Sequence, residues 1–156
     1  MPRQVVLPND GFLTYMLSEL QAVAGKNVTL PVSGNSMRPF LNGENNEVLL
    51  VATSTIHVGD VVLAETQPGR YVLHRVVAIE AGIITLRGDG NLANEYCKTE
   101  NIKATALGFY RNGSKQLDST QDLKWRIYSW LWMRLYPVRR YLLFILYPHI
   151  PNCLRK

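Results

Sequence analysis

The sequence predicts a mainly β protein, a compact antiparallel β domain with an N-terminal amphipathic helix and a C-terminal helical tail. Three observations predict it. Between residues 27 and 110 the chain breaks into short β-branched runs separated by turn chemistry, with no helical stretch between them. Residues 10–24 repeat apolar side chains at helical spacing. Residues 121–156 hold all three tryptophans and the chain's excess of positive charge.

The first element is the segment "DGFLTYMLSELQAVA". Phe12, Leu13, Met16, Leu17, Leu20 and Val23 share one face of a helical wheel, with Thr14, Ser18 and Gln21 opposite. Asn9 or Asp10 can cap its start and Gly25 can end it. At about 1.5 Å per residue it is too short to cross a bilayer, so it is expected to pack on the body. The strands expected next are "NVTLPV", "NEVLLVA", "DVVLAET", "RYVLHRVVAIE", "GIITLRG" and "IKATALGFY". The turns between them include "NGENN", "HVGD", "QPGR" and "EAG". In the tail, Pro137 and Pro148 divide two helices expected over 121–136 and 138–147. The expected units are residues 1–26, 27–112 and 113–156.

The chain of 156 residues, 47% hydrophobic, suits one domain with an appendage. Cys97 and Cys153 form no disulfide framework and no metal-ligand spacing, so neither a metal nor another cofactor is expected. The segment "MPRQVVLPNDGF" lacks the apolar core of a secretory signal, and no apolar run is long enough to span a membrane. The net charge of +5 is uneven. Residues 121–156 carry seven basic residues against Asp122, leaving the first 120 residues slightly acidic.

The stretch "SGNSMRPFL" places Ser36 between Gly34 and Pro39, directly after a strand. A serine held so rigidly is a candidate nucleophile, and a serine nucleophile needs a base. There is no lysine from Met37 to Cys97, which leaves His74 in "YVLHRVV". Alone, a strand histidine more commonly lies on a solvated face. His57 and His149 have no comparable setting. The stretch "LRGDGNLANEY" supplies Asp89 and Glu95, either of which can orient an imidazole and stabilise its cation. Each alone is an ordinary turn carboxylate. Gly59-Asp60 reads as a turn that opens a strand.

The order "SGNSMRPFL", "GDVVL", "YVLHRVV", "LRGDGN" resembles the superfamily of signal peptidases and LexA-like self-cleaving repressors, from about Val28 to Tyr110. The resemblance implies a LexA- or signal-peptidase-like β domain and a serine-type endopeptidase. "SGNSM" is spaced as in the LexA-like members. "HRV" followed by "GDxN" looks like the endoplasmic-reticulum and archaeal signal peptidases, which use histidine as base. Six residues past the "GD" aspartate that branch carries a catalytic aspartate, and here Glu95 stands there; Asp89 is the rival orienter. Where some members offer a serine hydroxyl to the oxyanion this chain has Gly34, so the backbone N–H groups of Asn35 and Ser36 are the expected donors. By analogy, Met37 lines the wall that favours small substrate side chains.

The resemblance thus implies cleavage of a leader or precursor peptide by Ser-His acyl-enzyme chemistry. Two other functions share these residues: a LexA-like self-cleaving regulator, and an inactive binding module of the same fold. "AG" occurs at Ala24-Gly25 and Ala81-Gly82, yet 26 residues before the first strand leave too little room for a DNA-reading unit. The aromatic, basic tail is expected to lie on an anionic membrane surface through residues 121–147, holding a cytoplasmic enzyme there peripherally. Arg139 and Arg140 are expected at headgroups, with Leu142, Leu143, Phe144 and Leu146 in the acyl boundary. Nucleic acid is not expected, because "YLLFILY" makes a poor phosphate surface.

Overall fold

The computed structural model describes residues 10–22, 25–32, 34–41 and 45–146. Helix α1 (Asp10–Ala22) precedes five strands, β1 (Asn27–Val32), β2 (Asn46–Val51), β3 (Val61–Gln67), β4 (Arg70–Glu80) and β5 (Ile83–Arg87). Next come β6 (Glu95–Lys98), a 3-10 turn at Thr99–Asn101, β7 (Ile102–Tyr110) and β8 (Leu117–Ser119). Helices α2 (Leu123–Arg134) and α3 (Tyr136–Leu146) follow. The strands form one antiparallel sheet in the order β1-β2-β7-β3-β4-β5-β6. One edge of β7 is taken by β2 along most of its length; the other is shared by β3, from Ile102 to Thr105, and β8, from Gly108 to Tyr110.

The six strands expected from β-branched runs form within a residue of their expected bounds. β6 and β8 were not expected. Their sequences, "EYCK" and "LDS", have no β-branched run, and pairing with the preceding strands β5 and β7 makes them strands. In α1, Leu13, Leu17 and Leu20 are buried at i, i+4, i+7, as the helical period predicts. Burying each stabilises the fold by roughly 1.5–3 kcal/mol. Phe12 and Val23, assigned to the same face, fall outside the described side chains, as do the cap at Asn9 and everything past Leu146.

Two cores result. The larger joins α1, β1, β2 and β7 to Val61, Leu63 and Leu73, and also contains Met37 and Trp125. The smaller contains Val62, Ala64, Val72, Val76, Ile84, Leu86, Cys97 and Ile102. Strand β3 therefore alternates between cores and is buried on both faces from Val61 to Ala64. Residues along β4 alternate in the same way, which sends neighbours to opposite sides of the sheet.

The helices of the tail break at Leu135, and Pro137 sits in the first turn of α3, where a missing N–H costs little. α2 is more than an appendage. Trp125 is buried in the main core, with its ring edge-on to Phe40 at 4.4 Å and tilted on Phe109 at 5.3 Å. The change of composition near residue 112 marks no gap between cores. No helix among the described residues is long and apolar enough to cross a membrane.

Candidate active site

Ser36 lies in the loop Gly34–Leu41 that leaves β1. Gly34 adopts φ 109°, and the Arg38–Pro39 peptide is cis. Below the loop, Met37 and Leu41 plug the main core. Met37, expected at a substrate wall, is only 1% exposed, so its observed place is as an anchor beneath the serine. Above the loop lies the turn Gly88-Asp89-Gly90. The Gly90 N–H donates to the Ser36 carbonyl at 2.8 Å. A Cβ on Gly88 would fall 2.3 Å from that same carbonyl oxygen, and one on Gly90 would fall 2.6 Å from the Asn35 carbonyl oxygen. Both distances are below any real contact, so only glycine permits the turn to clamp the serine loop. Turn chemistry in "RGDGN" was legible; the clamp was not.

His74 sits in β4 opposite Val62, facing the smaller core, and is 4% exposed. Its Nδ1 lies 3.3 Å from Glu95 Oε2, at ion-pair distance without hydrogen-bond alignment. Its Nε2 points to Gly88: the Cβ position that falls on the Ser36 carbonyl is also 3.1 Å from Nε2. The imidazole thus has Glu95 on one nitrogen and the clamp of the serine loop at the other. Ser36, 6% exposed, carries a buried Oγ with no hydrogen bond to His74 or any other group.

Glu95 opens β6 opposite Leu86, which pairs in turn with Val76, two residues beyond His74. Register therefore brings Glu95 to the His74 face. Arg70, on that face by the same two-residue period, donates from Nη2 to Glu95 Oε1 at 2.7 Å. The adjacent His74 foremost, with Arg70, holds the Glu95 carboxyl below its ordinary range against the opposing effect of burial. Arg70 was not singled out in the sequence, although its spacing from His74 in "RYVLH" was the available signal.

Asp89 does not occupy the position it was weighed for. Its carboxylate accepts two hydrogen bonds from Arg75, Nε to Oδ1 at 2.8 Å and Nη2 to Oδ2 at 2.6 Å, and a longer one from the Tyr128 hydroxyl at 3.3 Å. Arg75 follows His74 in β4 and so leaves the sheet on the other side. Its Nη1 also donates to the Gly59 carbonyl at 2.9 Å and to Ser129 Oγ at 2.7 Å. Trp132 Nε1 donates to the Asp89 carbonyl at 3.0 Å. Burial pulls the Arg75 guanidinium down, but Asp89 outweighs it and leaves Arg75 above its usual value. Burial first, and then Asp89, keeps the Tyr128 phenol protonated at any ordinary pH. Asp89 is thus the far half of a buried ion pair that fixes the clamp and seats α2.

Asp60 accepts from the His57 N–H at 2.8 Å, and its carbonyl accepts from Val76, a turn-and-strand role as expected of "GD". Among the described residues no group of His, Cys, Asp and Glu is placed to hold a metal ion. Comparison with protein-family models, with curated proteins and with solved structures finds no match for the chain.

Proposed function

We propose that the chain is a serine endopeptidase of signal-peptidase-like kind that cleaves a leader or precursor peptide, acting in the cytoplasm. The observation that supports this most is the two-sided setting of His74: a buried imidazole with a carboxylate on Nδ1 and its Nε2 turned to the clamped serine loop. Burying such polar groups is costly, and a strand core is more cheaply filled by valine. In this reading Ser36 Oγ attacks the scissile carbonyl carbon while His74 Nε2 takes the hydroxyl proton. The backbone N–H groups of Asn35 and Ser36 hold the resulting oxyanion. When the adduct collapses, the C–N bond breaks and His74 returns the proton to the leaving amine. Water, deprotonated by the same imidazole, then cleaves the acyl ester. Glu95 keeps the proton on Nδ1 in the resting state and balances the imidazolium. The missing Oγ–Nε2 hydrogen bond suits a free site that tightens on substrate.

A fluorophosphonate probe tests the assignment. Wild type is expected to be labelled on Ser36, with labelling abolished in Ser36→Ala and reduced at least a hundred-fold in His74→Ala. Equal labelling of wild type and Ser36→Ala would sink the proposal. A folded wild-type chain that never reacts marks the inactive binding module. Spontaneous cutting at Ala81-Gly82 or Ala24-Gly25, read by intact mass, marks the self-cleaving regulator.

A further inference from the structure

We infer that the outward faces of α2 and α3 form a docking surface for an anionic bilayer, on which the chain lies peripherally. The inference does not depend on the peptidase reading. Ten of the fifteen large hydrophobic side chains left exposed among the described residues lie between Leu123 and Leu146. They fall where helical geometry puts them. α2 buries Trp125, Ser129 and Trp132 on the body and turns Leu123, Ile127 and Trp130 outward. α3 buries Arg139 and Leu143 and turns Tyr141 and Ile145 outward, Ile145 being 72% exposed.

Charge selects the partner. No aspartate or glutamate occurs from Leu123 to Leu146, whereas Lys124, Arg126, Arg134 and Arg140 are all exposed there. Arg134 lies over the Trp130 ring at 5.5 Å, and neither it nor Arg126 nor Arg140 has an ion pair among the described residues. An exposed apolar ridge flanked by unpaired guanidinium groups matches the two layers of an anionic interface, acyl chains and phosphates. A second copy fits poorly, since a two-fold contact would set this positive face against itself. Helices of 12 and 11 residues cannot span the hydrocarbon core.

One expectation is corrected. Arg139 does not face headgroups: it is buried, its Nη2 donates to the Trp132 carbonyl at 2.7 Å, and its guanidinium lies over the Trp132 ring at 5.0 Å. Leu143 is likewise turned inward and Leu142 is half-buried, which leaves Arg140, Tyr141, Phe144, Ile145 and Leu146 at the surface.

The test uses the full chain, because α2 completes the core. Sedimentation with vesicles of phosphatidylcholine alone is compared with vesicles containing phosphatidylglycerol. Binding is expected only with the anionic lipid and is expected to weaken as salt is added. Trp130 is 58% exposed while Trp125 and Trp132 are buried, so binding should blue-shift the emission of Trp130 alone. The shift should vanish in Trp130→Phe. Phe144→Asp/Ile145→Asp and Arg126→Glu/Arg140→Glu alter exposed side chains and should each cut binding at least ten-fold with the melting temperature unchanged. Absence of binding at low salt, equal binding to both lipids, or a shift that survives in Trp130→Phe would overturn the inference. So would a concentration-dependent dimer disrupted by Phe144→Asp/Ile145→Asp, which would assign the face to a second copy. Ser36→Ala should bind as wild type does, which separates this test from that of the active site.

Discussion

Glu95 meets two partners, one on each carboxylate oxygen. Arg70 takes Oε1 at 2.7 Å, which turns Oε2 toward His74 Nδ1 at 3.3 Å. Glu95→Gln keeps the shape but offers the imidazole no counter-charge and no fixed tautomer. Probe labelling of Ser36 should slow more than ten-fold, and an unchanged rate would leave the site a dyad. The same carboxylate predicts a pH effect on stability. Its value is depressed in the folded chain, so unfolding takes up a proton as pH falls. The stabilisation is complete above the ordinary glutamate range and is lost as pH drops through the folded value. Thermal melts from neutral pH into acid should show a smaller acid loss in Glu95→Gln than in wild type. In the sequence the spacing from "GD" points to Glu95 and the turn geometry to Asp89, and the choice stays open because β6 is invisible there. Once Glu95 is known to begin a strand opposite Leu86, its face follows from parity; Asp89 is carried elsewhere by Arg75.

Strand β4 is the element on which most depends. Its residues His74 and Arg75 leave on opposite faces, the first to Glu95 and the smaller core, the second to Asp89 and α2. Arg75→Met leaves the Asp89 carboxylate buried without its cation and should destabilise the fold by about 3–5 kcal/mol. Replacing both partners, as Arg75→Met/Asp89→Leu, should recover much of that loss, because no uncompensated charge remains. Chemical denaturation of both variants checks it; equal instability would mean that the pair's geometry, not its charge, supports α2. The sequence revealed β4 as a strand and His74 as its odd residue. It did not reveal what Arg75 was for, because its partners lie 14 and 54 positions away.

Across the whole molecule, the fold class and the placing of helices at both ends were legible, since each rests on local period and turn chemistry. The two cores were not. "VVLA" in β3 reads as a continuous apolar run, and such a run does not say which side chain serves which core. Only the antiparallel register separates Val61 and Leu63 from Val62 and Ala64. The Gly88-Asp89-Gly90 turn ties the scales together. Its two glycines press on the serine loop while the aspartate between them is held by Arg75, Tyr128 and Trp132. Three consecutive residues thus join the clamp on the serine loop and the mooring of the helix in a single turn. Free-energy linkage through that turn runs equally in both directions. A ligand that fastens α2 tightens the grip on Ser36, and an adduct on Ser36 that requires the grip must quiet α2. Amide hydrogen exchange in Leu123–Arg134 should therefore slow when the serine is acylated. Unchanged exchange there would show that the mooring transmits nothing. If it does transmit, the bilayer proposed to receive the tail becomes an effector of the proposed peptidase as well as its address.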